Sequence, residues 1–221
     1  MQKVFFQIGT NNGGDRFREL CIAHKPDLIV LVEANSKHLS SIKKNYEQLE
    51  NVHIFNNAIY YRDDEEVDLF LPAIDGVYGN PSVNKHTYSD GEFSLLPMND
   101  WGDKKDMCVV KAKTITFDTI CSKLGITEIE YLQTDTEGFD NEIIKMIDLN
   151  KYLIKNIRYE NWTFPTECFE KYHSENYDIN ELGAGGVKII EEKLHKHGYM
   201  IRTLPRDRDG DADRIAVKQG V

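Results

Sequence analysis

Residues 4–24 contain an apolar run, a small-residue turn and a helical pattern in immediate succession. Val4–Ile8 reads as a buried strand, Gly9–Gly14 as a tight turn, and the stretch from about Asp15 to His24 as a helix. A strand that feeds a glycine turn at the start of a helix is the unit with which α/β folds bind nucleotide-like ligands. This unit predicts an α/β fold built on a parallel sheet.

A second apolar run, Leu28–Val32, ends in Glu33. A carboxylate at the end of the second strand can bind both hydroxyls of a ribose. The turn carries Gly9 and Gly13 with Asn11 between them, a Gly-x-Asn-x-Gly spacing that differs from the Gly-x-Gly-x-x-Gly of dinucleotide folds. We therefore predict S-adenosylmethionine (SAM) as the cofactor in preference to NAD.

Strands and helices alternate along the rest of the chain, and the initial βαβαβ order predicts parallel pairing with right-handed crossovers. The predicted helices after the first are Lys37–Leu49 with Ser36 as N-cap, Phe117–Leu124, Phe139–Ile147 and Val187–His197. The further predicted strands are His53–Phe55, Val67–Leu71, Cys108–Thr116, Glu130–Thr134, Ile154–Tyr159 and a closing hairpin of Tyr199–Leu204 with Arg214–Lys218.

The bulk composition limits the classes of partner. The chain has 221 residues, which suits a single domain over residues 1–221, and its formal net charge is -10. Without a basic footprint or a long apolar stretch, we predict no nucleic-acid partner and no membrane partner. Scattered cysteines and the absence of a signal peptide pattern predict a cytoplasmic protein, whose oligomeric state the sequence leaves open.

The segment Asp75–Lys105 is rich in Gly, Pro, Asn and Ser and carries aromatic residues at intervals. A long irregular stretch of this kind in a compact domain is usually functional or disordered, and its aromatic residues favour function. We predict a lid that binds the acceptor together with the loop Asn161–Gly186.

Two further strand ends carry polar residues. Asp135 follows Glu130–Thr134, at the edge of the sheet where open α/β folds bind ligands, and its carboxylate could bind the amino group of SAM. Asn57 and Ala58 follow the third strand, where they could contact an adenine edge.

Several blocks together resemble the FkbM-type SAM-dependent methyltransferases. The blocks are Ile8–Gly13, Val32–Asn35, Phe55–Ile59, Thr116–Ile120 and Leu132–Gly138. The resemblance spans about Val4 to Met146, and residues 157–217 fit the remaining strands. It implies a class I methyltransferase Rossmann-like fold, with a seven-stranded mostly parallel sheet and a C-terminal antiparallel hairpin. It also implies O-methylation of a hydroxyl on a sugar, a glycan or a small natural product.

The sequence departs from the family pattern at Gln7, where an acidic residue is usual, and at Asn35, where proline is usual. Gln7 would then offer an amide to the methionine amino group. The predicted cofactor-binding residues are Gln7, Gly9, Asn11, Gly13, Glu33, Ala34, Asn57, Ala58 and Asp135.

Methylation of a hydroxyl needs a general base. The candidates are Asp135 and Glu160 at strand ends and His86 in the lid, with His173 as a further option. No His or Cys cluster has zinc spacing, and the acidic run 207–213 lacks the EF-hand pattern, so we predict no metal. A Mg²⁺ held by Asp135 and its neighbours is the open alternative.

Two other functions fit parts of the pattern. One is a methyltransferase-like domain that binds ligands without catalysis, and the other is an NAD(P)-dependent oxidoreductase. Methylation at nitrogen or carbon is also compatible with the cofactor half of the sequence.

Overall fold

A computed structural model describes residues 2–71, 94–95, 108–160, 184–204 and 213–221. The strands are β1 Val4–Ile8, β2 Leu28–Val32, β3 Val52–Phe55, β4 Ala58–Ile59, β5 Glu66–Leu71, β6 Cys108–Ile115, β7 Glu128–Thr134, β8 Leu153–Tyr159, β9 Tyr199–Thr203 and β10 Arg214–Lys218. The helices are α1 Arg16–His24, α2 Leu39–Asn45, α3 Phe117–Leu124, α4 Asp140–Met146 and α5 Ala184–Lys196.

The main sheet has seven strands in the order β3-β2-β1-β7-β8-β10-β9. The five strands from β3 to β8 run parallel, while β10 is antiparallel to both β8 and β9. The predicted mostly parallel sheet with a closing antiparallel hairpin is confirmed. The chain winds outward from β1 in one direction to β2 and β3 and then in the other to β7, which opens a crevice at the carboxyl ends of β1 and β7.

Both faces of the main sheet are covered, which explains why its first strands are continuous apolar runs. All five residues of β1 and all five of β2 are buried. On one face Phe5 and Ile29 pack with Phe17 of α1, and on the other Phe6 and Val30 belong to the larger core cluster. This packing fixes the strand ends that carry the polar residues of the crevice.

A second, three-stranded sheet has the order β4-β6-β5, and the sequence did not predict it as a separate sheet. β4 pairs parallel with β6 over two residues only, and β5 runs antiparallel to β6 as the alternation of Val67–Leu71 indicated. Ser94 bridges to Phe70 on β5, and its amide donates to the Phe70 carbonyl at 3.0 Å. This small sheet brings Leu69 and Leu95 beside the crevice.

The helix predicted over Lys37–Leu49 is shorter in the structure. A 3₁₀ turn at Ser36–His38 precedes α2, and the Asn35 side chain accepts a hydrogen bond from the Lys37 amide at 3.1 Å. The N-cap prediction for Ser36 was wrong, because the N-cap of this turn is Asn35, whose side-chain Oδ1 accepts from the Lys37 amide.

Among the described helices, none combines the length and the apolar character needed to cross a membrane. The predicted lid over 75–105 lies outside the described residues except for Ser94 and Leu95, and so does most of the predicted acceptor loop after Glu160.

Candidate active site

A cavity of about 320 Å³ lies at the carboxyl ends of β1, β2 and β7, and the small sheet closes one side of it. That volume is within the range of small-molecule sites. Seven of the predicted cofactor residues line it, namely Gly9, Asn11, Glu33, Ala34, Asn57, Ala58 and Asp135. The structure therefore gathers residues that are far apart in the sequence, while the ligand role of each stays a prediction.

Gly9 passes directly over the end of β7. Its φ is +80°, and a Cβ built at this position would lie 1.8 Å from the carbonyl oxygen of Asp135. The Asp135 amide donates to the Ile8 carbonyl at 3.0 Å, so the two strand ends are joined on both sides of the contact. Only glycine permits this approach, which places the turn and Asp135 on one wall of the cavity.

Gln7 and Gly13 do not line the cavity. Gln7 is fully buried, and its amide donates to the Asp15 carboxylate at 2.6 Å, which helps to hold the start of α1. Gly13 has a φ of +74°, and a Cβ there would lie 3.0 Å from the Tyr46 ring. Both residues support the glycine turn from the side that does not line the cavity.

Glu33 connects the glycine turn to the end of β2. Its Oε2 accepts from the Asn11 amide and its Oε1 from the Asn35 amide, each at 2.7 Å. A carboxylate has about four acceptor positions, so roughly two are left for the hydroxyls of a ribose. Burial raises the pKa of Glu33 to about 7, although the hydrogen bonds from these backbone amides oppose the rise.

We expect the stability of the ligand-free protein to fall as pH rises through this range. The folded state holds the Glu33 proton more tightly than the unfolded state does, so its contribution is full below pH 4.5 and is lost as pH rises through about 7. The shift corresponds to about 3 kcal/mol. Urea unfolding measures the free energy of unfolding at pH 5 and at pH 8. Between these pH values it should fall more for the wild type than for Glu33→Gln, by roughly this amount. Equal falls in the free energy of unfolding of both proteins would contradict the raised pKa of Glu33.

Asn56 holds the Glu33 segment from the other side, a role that was not predicted from the sequence. Its amide donates to the Glu33 carbonyl at 2.8 Å and to the Ala34 carbonyl at 3.1 Å. The neighbouring Asn57 donates to the carbonyls of Lys113 and Thr114 on β6, at 3.3 and 3.5 Å. Both asparagines thus anchor backbone around the cavity, and Asn57 keeps its side-chain oxygen for other contacts.

We expect Asn56→Ala to weaken cofactor binding by about 3-fold to 10-fold, because one or two hydrogen bonds that hold the Glu33 backbone are lost. Asn51→Gly is the matched control. Asn51 donates its amide to the Asp27 carbonyl at the opposite edge of the sheet, and its φ of 52° suits glycine. Calorimetric titration with S-adenosylhomocysteine should separate the two variants. A similar affinity for both variants would mean that the hydrogen bonds from Asn56 to the Glu33 segment do not contribute to cofactor binding.

Four acidic residues meet where β7 and β8 end: Asp135, Glu137, Asp140 and Glu160. Asp135 and Glu137 line the cavity, and Asp135 is exposed there. Desolvation by the protein atoms around this part of the cavity wall, and then the charges of Asp140 and Glu137, raise the pKa of Asp135 well above its usual value. Burial and the same neighbours raise the pKa of Glu160 to about 10. A cationic ligand in the cavity would relieve this crowding of negative charge.

The far wall of the cavity is apolar, and sequence reasoning missed it. Its members are buried side chains from the small sheet, from the neighbouring Leu95 and from the start of α4: Ile59, Leu69, Leu95, Phe139 and Ile143. The strand β5 and the residues 94–95 reach this wall only because of the small sheet. Such a wall beside Ala58 suits the faces of an adenine ring.

The other predicted bases are placed differently. Glu160 is half-buried and does not line the cavity. His86 and His173 lie outside the described residues. In the part of the chain that the structure describes, no group of three or more His, Cys, Asp or Glu side chains is placed to hold a metal ion.

The sequence matches a known protein family. The family model for the methyltransferase FkbM domain matches residues 7–204 of the chain. A search of curated proteins found no match.

Solved structures with similar folds include three methyltransferases. The O-methyltransferase TomG of Streptomyces achromogenes, involved in tomaymycin synthesis and solved with SAM, is 12% identical with a TM-score of 0.50 over 99% of this chain and 74% of that one. TrmK of M. capricolum, solved with S-adenosylhomocysteine, is 12% identical with a TM-score of 0.42 over 98% of this chain and 62% of that one. Precorrin-6y C5,15-methyltransferase of Geobacter metallireducens GS-15 is 13% identical with a TM-score of 0.42 over 99% of this chain and 82% of that one.

At these identities the likeness concerns the fold alone. The chain spans about three fifths of the length of TrmK. The predicted class I methyltransferase fold is confirmed by the sheet order and by the likeness to TomG. The match to a methyltransferase family model supports S-adenosylmethionine as the cofactor.

Proposed function

The chain belongs to the methyltransferase FkbM family, and from that premise we propose that it transfers a methyl group from SAM to a hydroxyl of a sugar, a glycan or a small natural product. The cavity that Glu33 and Asp135 both line is the observation that supports SAM as the cofactor. Glu33 offers acceptor positions for ribose hydroxyls, and Asp135 lies where the glycine turn meets β7. These residues fit a nucleoside that carries positive charge.

SAM, when bound, supplies an electrophilic methyl group on a sulfonium ion and leaves as the neutral thioether S-adenosylhomocysteine. The chain has to orient the two reactants and take the proton that the acceptor hydroxyl gives up. Alignment alone can lower such a barrier by roughly 7–11 kcal/mol. Hydrogen bonds to Glu33 and contacts with the apolar wall fix the nucleoside end of SAM, so that its opposite end faces Asp135 and Glu137.

Asp135 is the residue we propose as the general base. It lines the cavity, and the desolvation and acidic neighbours that raise its pKa make it a better proton acceptor once it is ionised. A nearby sulfonium charge would favour that ionised form. Glu160 is a weaker candidate because it does not line the cavity. His86 remains a predicted alternative.

The acceptor is proposed to be a small molecule or a glycan rather than a nucleic acid. The net charge of -10 supports this choice, because a phosphate backbone would be repelled. Nitrogen and carbon acceptors are tested in the same experiment.

The test is methyl transfer from isotope-labelled SAM to a panel of sugars, glycans, phenolic or aliphatic alcohols, amines and activated carbon acceptors, with product identification by mass spectrometry and NMR. We expect label on oxygen, and a loss of about 100-fold or more in kcat for Asp135→Asn, within the range of a lost general base. Label on nitrogen or carbon would replace the acceptor assignment. SAM binding without transfer to any acceptor would favour a binding domain without catalysis.

A further inference from the structure

Asp140 is a fully buried carboxylate that lies behind the cavity wall and does not line the cavity. It is the first residue of α4. One carboxylate oxygen, Oδ2, accepts from the Thr136 amide at 3.0 Å and from the Thr136 hydroxyl at 2.7 Å. The other, Oδ1, accepts from the Glu160 amide at 3.4 Å. Three donors thus converge on one side chain.

Those donors belong to the segments that carry the acidic residues. Thr136 stands between Asp135 and Glu137, and all three line the cavity. The turn then passes through two left-handed residues, Glu137 with a φ of 54° and Gly138 with a φ of 96°. A non-glycine residue keeps this conformation only where its surroundings hold it. Ser94 contributes by donating its hydroxyl to the Glu137 carbonyl at 2.8 Å.

We propose that Asp140 is a positioning residue for cofactor binding, which holds Thr136 so that Asp135 and Glu137 face the bound cofactor. This inference rests on the proposed function. Through the Glu160 amide, the same carboxylate joins the end of β8 to the turn after β7. The cofactor wall and the end of β8 therefore depend on one buried group that does not touch the ligand itself.

The charge of Asp140 could also contribute, and the two roles are separable. Asp135, Glu137, Glu160 and Asp213 are the other acidic groups of this region, and desolvation followed by the Asp140 charge raises the pKa of both Asp135 and Glu160. A role through charge would favour cationic SAM over neutral S-adenosylhomocysteine. A role through position affects both ligands equally.

The experiment is calorimetric titration of wild type, D140A and D140N with SAM and with S-adenosylhomocysteine. We expect D140A to lose roughly 10-fold to 100-fold in affinity for both ligands, the range found for residues that orient metal ligands. D140N keeps an oxygen that can accept from both Thr136 donors, so it should stay within about 3-fold of wild type. Wild-type affinity in D140A, or an equal loss in D140N and D140A, would overturn the positioning role.

Asp63 provides the matched control. Its carboxylate accepts from the Thr116 amide at 2.7 Å and from the Thr119 hydroxyl at 2.6 Å, at the start of α3 and away from the cavity. Asp63→Ala should lower stability while leaving the affinity for both ligands unchanged.

If D140A does not fold, T136V replaces it, because it removes one donor to Asp140 and leaves the backbone intact; T136S, which keeps the hydroxyl donor, is the control for the place of residue 136 in the cavity wall. We expect about a 3-fold loss for both ligands, and wild-type affinity would overturn the inference. If wild type binds neither ligand, the proposed function itself fails. If wild type binds and the variants bind equally well, only the role of Asp140 fails.

Discussion

Gly9→Ala should destabilise the protein by about 3–5 kcal/mol, a large share of the stability of a typical domain. The φ of +80° is costly for any residue with a Cβ, and the new methyl group would lie 1.8 Å from the Asp135 carbonyl oxygen. That oxygen belongs to the backbone at the end of a central strand, so no side-chain rotation relieves the contact. Urea unfolding monitored by circular dichroism measures the loss.

Gly125→Ala is the control that separates steric contact from backbone strain. Gly125 has a φ of +66°, but nothing lies within 4 Å of a Cβ built there. We expect a cost of about 1–2 kcal/mol, from the left-handed conformation alone. Equal costs at the two glycines would mean that β1 and β7 do not approach each other as closely as the structure shows.

Glu33→Ala should reduce affinity for SAM and for S-adenosylhomocysteine by at least about 100-fold. In the proposed complex, the substitution would remove two hydrogen bonds between the carboxylate and the ribose hydroxyls, each of the charged type that contributes about 1.5–3 kcal/mol. It also leaves the amides of Asn11 and Asn35 without the acceptors that they have at 2.7 Å. Calorimetric titration at pH 8, above the raised pKa of about 7 of Glu33, measures the effect.

Glu47→Ala serves as the control for charge, because Glu47 is exposed after α2 and does not line the cavity. Its affinity for both ligands should equal that of the wild type. If Glu33→Ala bound as tightly as Glu47→Ala, the nucleoside would have to lie elsewhere, and the cavity assignment would be lost.

The parts of the site that follow parallel strands were predictable from the sequence. Apolar runs long enough to be buried strands, each followed by a polar residue, identified Glu33 and Asp135. Parallel strand ends gather at one edge of the sheet, so both residues had to lie near the glycine turn. The family resemblance added the number of strands, which periodicity alone does not provide.

Other parts depend on contacts that have no local signature. β4 has two residues, too few for a pattern, so the small sheet and the apolar wall that includes Leu69 were not predicted. Asn56 and Asp140 act through hydrogen bonds to backbone groups distant in sequence or across a turn, which sequence spacing does not reveal. The family resemblance placed Gln7 in the cofactor site; in the structure its amide donates to Asp15 and it does not line the cavity.

The most direct test of the account is calorimetric titration of the wild-type protein with SAM and with S-adenosylhomocysteine, accompanied by thermal unfolding in the presence of each. We expect one binding site per chain with micromolar affinity, and a rise in the unfolding temperature with ligand concentration. The absence of both binding heat and thermal stabilisation for either ligand would contradict the claim that this cavity is a SAM site.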